Sequence, residues 1–414
     1  MKTSTRLLLS CLMLGAGAAQ AADAKRDDKV WAAVEAARPA QLKFLEDIVN
    51  IDSGTGDVAG SAKIQAMLTA ELKALGMTVD AIPAEAPNLG DNLVATLSGR
   101  GKTRILMIAH TDTVFEPGAA KQRPFRTDAD NAYGPGVADE KGGVVQGLYA
   151  LKILHDLKFT NFGKITYLIE TSEERGSPGT RKLIDKLVHE ADVELNMEPG
   201  DAPDVLTVWR KGSATFHIEV KGRAAHAGVA PQDGRNAAAE LIHQIAGIES
   251  LPKSGDGLTA NLTVIQAGTR NNIIPENASA QVNVRVRSKT SLDEVEALLK
   301  KNAETTVIPD TKVTVSREPA FPPLVNNSGT DKLAERAQRI YAEIGKTIAT
   351  GGNGGASESA LAADAGVPAL DGMGPVGGGF HSEKEYLSLA TVSPRLYLLT
   401  RMLMELGPTP PPKK

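Results

Sequence analysis

Cysteine is nearly absent from this chain: Cys11 is the only one among 414 residues. It sits in the apolar part of an N-terminal stretch that reads as an export signal, so the mature protein is expected to carry no thiol. That excludes disulfides and cysteine nucleophiles, and it leaves any metal site to histidine and carboxylates. Long apolar runs are lacking too. Past the N-terminus no uninterrupted apolar segment reaches the roughly 18 residues that a membrane-spanning helix needs, so no membrane partner is expected. Nor is there an excess of positive charge. Lys and Arg number 46 against 50 Asp and Glu, a net charge of -4, and nucleic acid is not an expected partner. Aromatic residues make up only 4% of the chain, while 40 glycines point to many tight turns.

What is present has an ordinary globular balance, with 42% hydrophobic and 23% charged residues. A length of 414 residues exceeds the size at which one core stops growing and predicts two domains. Lys2 and Arg6, the apolar run Leu7–Gly17 and the small-x-small site Ala19-Gln-Ala21 predict a signal peptide over 1–21, cleavage after Ala21, and a periplasmic or secreted product. Apolar periodicity predicts a helical pair over 28–50 interrupted at Pro39, then a helix over Ser61–Leu75 that stops at Gly76. Strand-like runs Asn92–Leu97 and Arg104–Ala109 follow. After them come a long helix behind Asp139 and Glu140, and then strand, helix and strand through Glu198.

The character changes near Gly212. Thr215–Val220, Asn236–Ile248, Leu258–Ala267, Ala278–Val286, a helix Ser291–Thr305 opened by Ser291, and Lys312–Ser316 read as β-α-β-β-α-β, the ferredoxin-like order. The expected fold is therefore α/β: a catalytic domain with a mostly parallel sheet over 22–211 and 320–407, interrupted by an inserted ferredoxin-like α+β domain over 212–319. The proline- and lysine-rich tail 408–414 is expected to be disordered, because it has little to bury.

Three apolar, strand-like runs end on residue types that bind metal. Arg104–Ala109 enters His110-Thr-Asp112, Lys164–Ile169 passes through Glu170 to Glu173-Glu174, and Val193–Met197 ends at Glu198-Pro199. Between the first two lies Tyr133-Gly-Pro-Gly-Val-Ala-Asp139-Glu-Lys-Gly-Gly143. Open α/β sheets bind ligands at the carboxyl ends of their strands. Imidazole and carboxylates gathered at one sheet edge suit a divalent metal. His381, after Gly377-Gly-Gly-Phe380, offers a second imidazole. Adjacent side chains diverge, so with Glu174 on a metal Glu173 is free to act as general base. Asp112 can orient a ligand from behind. Singly, each piece has an ordinary reading as a hydrogen-bonded pair, a solvated acid or a turn. Their joint order at successive strand ends points to a metal, and these ligands suffice for two four-coordinate zinc ions.

These motifs resemble those of the two-zinc exopeptidases and amidohydrolases, a family that includes aminoacylase, acetylornithine deacetylase and glutamate carboxypeptidases of the carboxypeptidase G type. The resemblance runs from about Leu42 to Gly407 and rests on Ala109-His-Thr-Asp-Thr-Val114, the 133–143 segment, Thr171-Ser-Glu-Glu174, Met197-Glu-Pro199 and Phe380-His-Ser382. It implies that Asp139 bridges two zinc ions, His110 and Glu198 completing one site and Glu174 and His381 the other. It also implies Glu173 as general base, Asp112 behind the ligands, and a cis peptide between Asp139 and Glu140. In the inserted domain, Gly222-Arg-Ala-Ala-His226-Ala-Gly228 matches the family motif whose histidine meets the oxyanion. Asn271-Asn272-Ile-Ile-Pro275 and Arg285 match positions that grip the substrate carboxylate. A homodimer through the inserted lid/dimerisation domain is a further implication. Gly354-Gly-Ala-Ser-Glu-Ser359 departs from the family pattern in a loop that faces substrate there, and Arg210-Lys-Gly212 and Arg317-Glu-Pro319 lie at the domain joins without an assigned role.

The expectation is an exported, zinc-dependent carboxypeptidase acting on a small molecule or short peptide with a free C-terminal carboxylate, and releasing glutamate. Its rival within the class is an aminoacylase or deacetylase of small N-acyl amino acids. A non-catalytic solute-binding protein shares the export signal and two-lobed plan but has no use for five clustered ligands.

Overall fold

The computed structural model describes residues 25–318 and 321–411. The expected signal peptide, with Cys11, lies outside the described residues, as does the end of the tail. The central sheet has six strands: β1 (Thr78–Ile82), β2 (Asn92–Ser98), β3 (Arg104–His110), β4 (Lys164–Glu170), β5 (Val193–Asn196) and β6 (Ala369–Leu370). They lie in the order β1-β2-β4-β3-β5-β6. β3 runs parallel to both β4 and β5, and β5 to β6, whereas β2 is antiparallel to its two neighbours. Helices α1 (Asp28–Val49), α2 (Val58–Ala74), α3 (Lys141–Asp156), α4 (Arg181–Glu190) and α5 (Leu389–Leu406) cover it.

Side chains alternate across a strand, and β3 divides accordingly. Ile105, Met107 and Ala109 enter the core shared with α1, α2, α3 and α5, while Leu106 and Ile108 enter a second core with Ile184, Leu187 and Val188 of α4. A strand buried on both faces reads as one continuous apolar run, which is why β3 and β4 are visible in the sequence. Their register sets His110 opposite Glu170, so both chains reach the same sheet edge together.

The first strand of the inserted domain opens at Gly212. The domain's strands Thr259–Ala267, Asn277–Val286, Gly212–Lys221 and Lys312–Arg317 lie side by side in that order, all antiparallel. Helices Ala237–Ala246 and Lys289–Ala303 pack on them around Phe216, Ile218, Leu241, Val282, Val284 and Leu299. A two-stranded ribbon, Ala225–His226 with Ile273–Ile274, is added to the ferredoxin-like plan.

Three local expectations are corrected. The segment 28–50 is not a pair of helices: α1 is continuous through Pro39. Pro39 is exposed, as is Glu35 one turn earlier, so the missing hydrogen bond falls between exposed residues while Val34, Leu45 and Ile48 stay buried. The second helix of the inserted domain opens at Ser288, whose side chain accepts from the Ser291 amide, and not at Ser291. Finally, β1 was not expected. Its pattern is largely exposed, so it carries no apolar run to announce it.

Candidate metal centre

Each acidic or imidazole group stands just past the end of a sheet strand or on a loop tied to that edge. His110 closes β3, Glu173 and Glu174 open a single 3-10 turn after β4, and Glu198 follows β5. Asp139 precedes α3, and the Asp139–Glu140 peptide is cis, as the resemblance implies. The short ladder in which Tyr386–Ser388 pairs with both Asn131–Tyr133 and Gly377–Gly378 carries His381 to the same place. Gly143 permits the approach of α3 to β5, because a Cβ there would stand 2.0 Å from the Met197 carbonyl oxygen.

The result is two groups of three donors: His110 with Glu173 and Glu198, and Asp139 with Glu174 and His381. Asp139 faces both. Its Oδ1 lies 3.3 Å from His110 Nε2 and its Oδ2 3.3 Å from His381 Nε2. His110 Nε2 is also 3.5 Å from Glu198 Oε1 and 3.9 Å from Glu173 Oε2. His381 Nε2 is 3.1 Å from Glu174 Oε2. His110 is wholly buried, and its Nε2 has no hydrogen-bond partner despite this ring of carboxylates. A buried imidazole nitrogen left open among carboxylate oxygens is what a divalent cation fits.

The electrostatics agree. Burial pushes Glu174 up to about 7, against the pull of His381 and with added repulsion from Asp139. Burial raises Glu173 well above its ordinary range, reinforced by Glu358, Glu198 and Glu174, and raises Glu198 in spite of Arg210. Burial also works against the charge on Asp139, but the two imidazoles overcome it and hold that carboxyl below its ordinary value. His381 is driven up to about 10 by Asp139 and Glu174. So many acids packed together are costly unless cations neutralise them.

Behind the donors lies a frame of hydrogen bonds. Asp112 accepts from the backbone N–H groups of Glu173 and Glu174 at 3.1 and 3.2 Å and from Thr55 Oγ1 at 2.7 Å, and its backbone oxygen lies 3.0 Å from His110 Nδ1. Glu140 takes the His110 amide at 2.8 Å. Glu385 accepts the amides of Gly136, Ala138 and Asp139, each at 3.0 Å, and burial still lifts it to about 7. Arg210 is held by Asp371 at 2.6 and 2.8 Å and donates to Glu198 Oε2 at 3.1 Å. Sequence reasoning did not reach Thr55, Glu385 or Asp371. Only Glu385 left a signal, standing four residues after His381.

A cleft of about 370 Å³ opens over the donors and is shared by both domains. Arg285 reaches it from the inserted domain, as do Gly355 and Ala356 from the departing loop. Ser357, Glu358 and Ser359 turn inward instead, onto Asp371, Asn196 and Glu194. Arg210 lines the cleft too, but Arg317 pairs with Asp293 and Glu296 on the inserted helix. His226 and Asn272 are not brought to the donors. Both are exposed, His226 on the ribbon and Asn272 in the turn leading into it, where His226 Nδ1 accepts the Gly228 and Val229 amides and the Asn272 carbonyl accepts the Ala227 amide.

Residues 106–405 match the model of peptidase family M20/M25/M40. The chain is 37% identical to carboxypeptidase G2 of Pseudomonas sp. (strain RS-16) over 97% of its own length and 96% of that protein. It is 26% identical to succinyl-diaminopimelate desuccinylase of Methylobacterium radiotolerans over 88% and 96%. The fold matches the crystal structure of a metallo-carboxypeptidase of the M20 family from Sulfolobus solfataricus, with a TM-score of 0.72, 18% identity, and coverage of 89% of this chain and 99% of the other.

Proposed function

The chain belongs to peptidase family M20/M25/M40, and from that premise we infer that it is an exported, two-zinc carboxypeptidase that releases a C-terminal amino acid, glutamate by preference. The observation that carries this reading is Asp139, whose two oxygens each stand 3.3 Å from a different imidazole. Asp139, His110 and Glu198 would hold one ion, and Asp139, Glu174 and His381 the other. Zinc bound there would supply the Lewis acidity that polarises a carbonyl and lowers the pKa of water toward ~7.

The remaining work belongs to the chain. Glu173 takes the proton of the attacking water and passes it to the leaving amine. Its position supports this: at 3.9 Å it is the most distant from His110 Nε2 of the carboxylates around that nitrogen, and it lines the cleft. Asp112 fixes the turn that bears both glutamates. Arg285 takes the α-carboxylate of the substrate. His226 and Asn272, on the inserted domain, reach the oxyanion and the carboxylate only after that domain moves, and a homodimer through the domain is part of the same reading. Glutamate rests on the relation to carboxypeptidase G2, and export on the N-terminal stretch.

The family also holds desuccinylases, so the rival is a deacylase of small N-acyl amino acids. The test compares N-acyl and peptidyl glutamates with N-acetyl and N-succinyl amino acids, with zinc present. Faster release of free glutamate from the bulky conjugates supports the proposal. Preference for the small acyl groups contradicts it.

A further inference from the structure

Past Arg285 the cleft continues into a recess of about 270 Å³ between the domains, with Arg175, Ser213, Asn283, Arg285 and Glu318 in its wall. The cations around the two spaces differ in what they already hold. Arg210 is committed to Asp371 and Glu198. Arg181 donates to the Gly176 carbonyl and lies 5.0 Å from the Phe321 ring. Arg285 uses only its Nε, on Asn283 Oδ1 at 3.0 Å, and leaves both terminal nitrogens without a hydrogen bond among the described residues. Arg175 is exposed, and its side chain makes no hydrogen bond or ion pair among the described residues. Two acids share that wall, and each already faces an imidazole: Glu174 stands 3.1 Å from His381 Nε2 and Glu318 3.3 Å from His217 Nε2.

Two uncommitted guanidinium groups in one recess repel each other, and a ligand with two negative charges relieves both. The opposite arm of the cleft offers the reverse: Asp201 accepts from Asn353 at 2.7 Å, and the walls beyond are uncharged, with Val205, Thr350, Phe380 and Tyr386 among glycines. An acidic side chain is disfavoured there and an uncharged acyl group is not.

We propose that Arg175 is a specificity-determining residue: with the α-carboxylate on Arg285, it receives the side-chain carboxylate of the released residue and makes the enzyme select acidic C-termini. A guanidinium suits this task because its planar fork matches a carboxylate. The proposal deepens the carboxypeptidase reading and rests on it.

The experiment is steady-state kinetics on two substrates that share an acyl group and end in glutamate or in glutamine, for the zinc-loaded protein and for Arg175→Met. The wild type should prefer glutamate. The variant should lose about 10- to 100-fold in kcat/KM on glutamate, mainly through KM, and far less on glutamine, so that the ratio collapses toward one. Because Arg175 is exposed, the variant should keep the wild-type Tm and zinc content, and Arg175→Lys should recover part of the ratio. Equal losses on both substrates, or an unchanged ratio, overturn the role of Arg175. A wild type that prefers glutamine overturns it too while leaving the carboxypeptidase intact. Turnover of neither substrate overturns the carboxypeptidase reading and this inference with it.

Discussion

Whether a carboxylate binds metal, moves a proton or holds another group in place depends here on which of its oxygens meets which neighbour. Glu173 and Glu174 are adjacent in sequence, yet Glu174 touches His381 at 3.1 Å while Glu173 stands 3.9 Å from His110. Glu173→Gln should therefore lower kcat by roughly 10²- to 10⁴-fold with zinc content unchanged, as elemental analysis of the purified variant would show. Loss of zinc would make Glu173 a ligand with His110 and Glu198. Glu385 is a different case. It receives three amides from the loop that presents Asp139 and lies four residues past His381, so it aligns both. Glu385→Gln sets an amide N–H₂ against at least one of those N–H groups in a buried place, which costs about 1–3 kcal/mol. The expected outcome is weaker zinc retention in competition with a chelator. Unchanged retention would reduce Glu385 to a support of the fold.

Among the elements, the legible ones were those with a single dominant requirement. β3 and β4 are buried on both faces and so spell continuous apolar runs, and the donors that follow them could be read at once. β1 has no such constraint and was missed. Pro39 was overread: one exposed proline does not outweigh the buried face of a 22-residue helix. Pro39→Ala should restore a hydrogen bond and raise stability by about 2 kcal/mol in denaturant unfolding, since proline in a helix interior costs about 3 and returns part of that through the unfolded chain. β5 hides a polar feature inside a core strand. Glu194 is fully buried on it, and burial, with Asp371 next, raises its carboxyl well above the ordinary range. A raised folded pKa gives stability that is complete below the unfolded value and lost as pH rises through the folded one. Glu194→Gln, which mimics the protonated form, should therefore lose less stability than the wild type between mildly acid and alkaline pH, measured by denaturant unfolding of the metal-free proteins. Parallel curves would contradict the assignment.

Over the whole molecule, the two domains were legible from a change of periodicity near Gly212, but their meeting was not. Arg285 could be assigned to the cleft by resemblance, whereas Arg175 and Arg210 acquire a setting only when the inserted sheet is folded against the metal edge. The same folding leaves His226 and Asn272 outside, a separation that sequence spacing cannot express. Metal at the two donor groups would also tie stability to its supply, because an ion bound only by the folded chain stabilises it by an amount that grows with the logarithm of its concentration over its dissociation constant. Chelation should lower Tm, and zinc should restore it. A two-metal carboxypeptidase organised on Asp139 is best probed by titrating zinc into the metal-free protein while following release of free glutamate from an acyl-glutamate. Turnover should be absent without metal and reach its maximum near two equivalents per chain. Full turnover without metal, or two bound equivalents with no glutamate released, would rule that enzyme out.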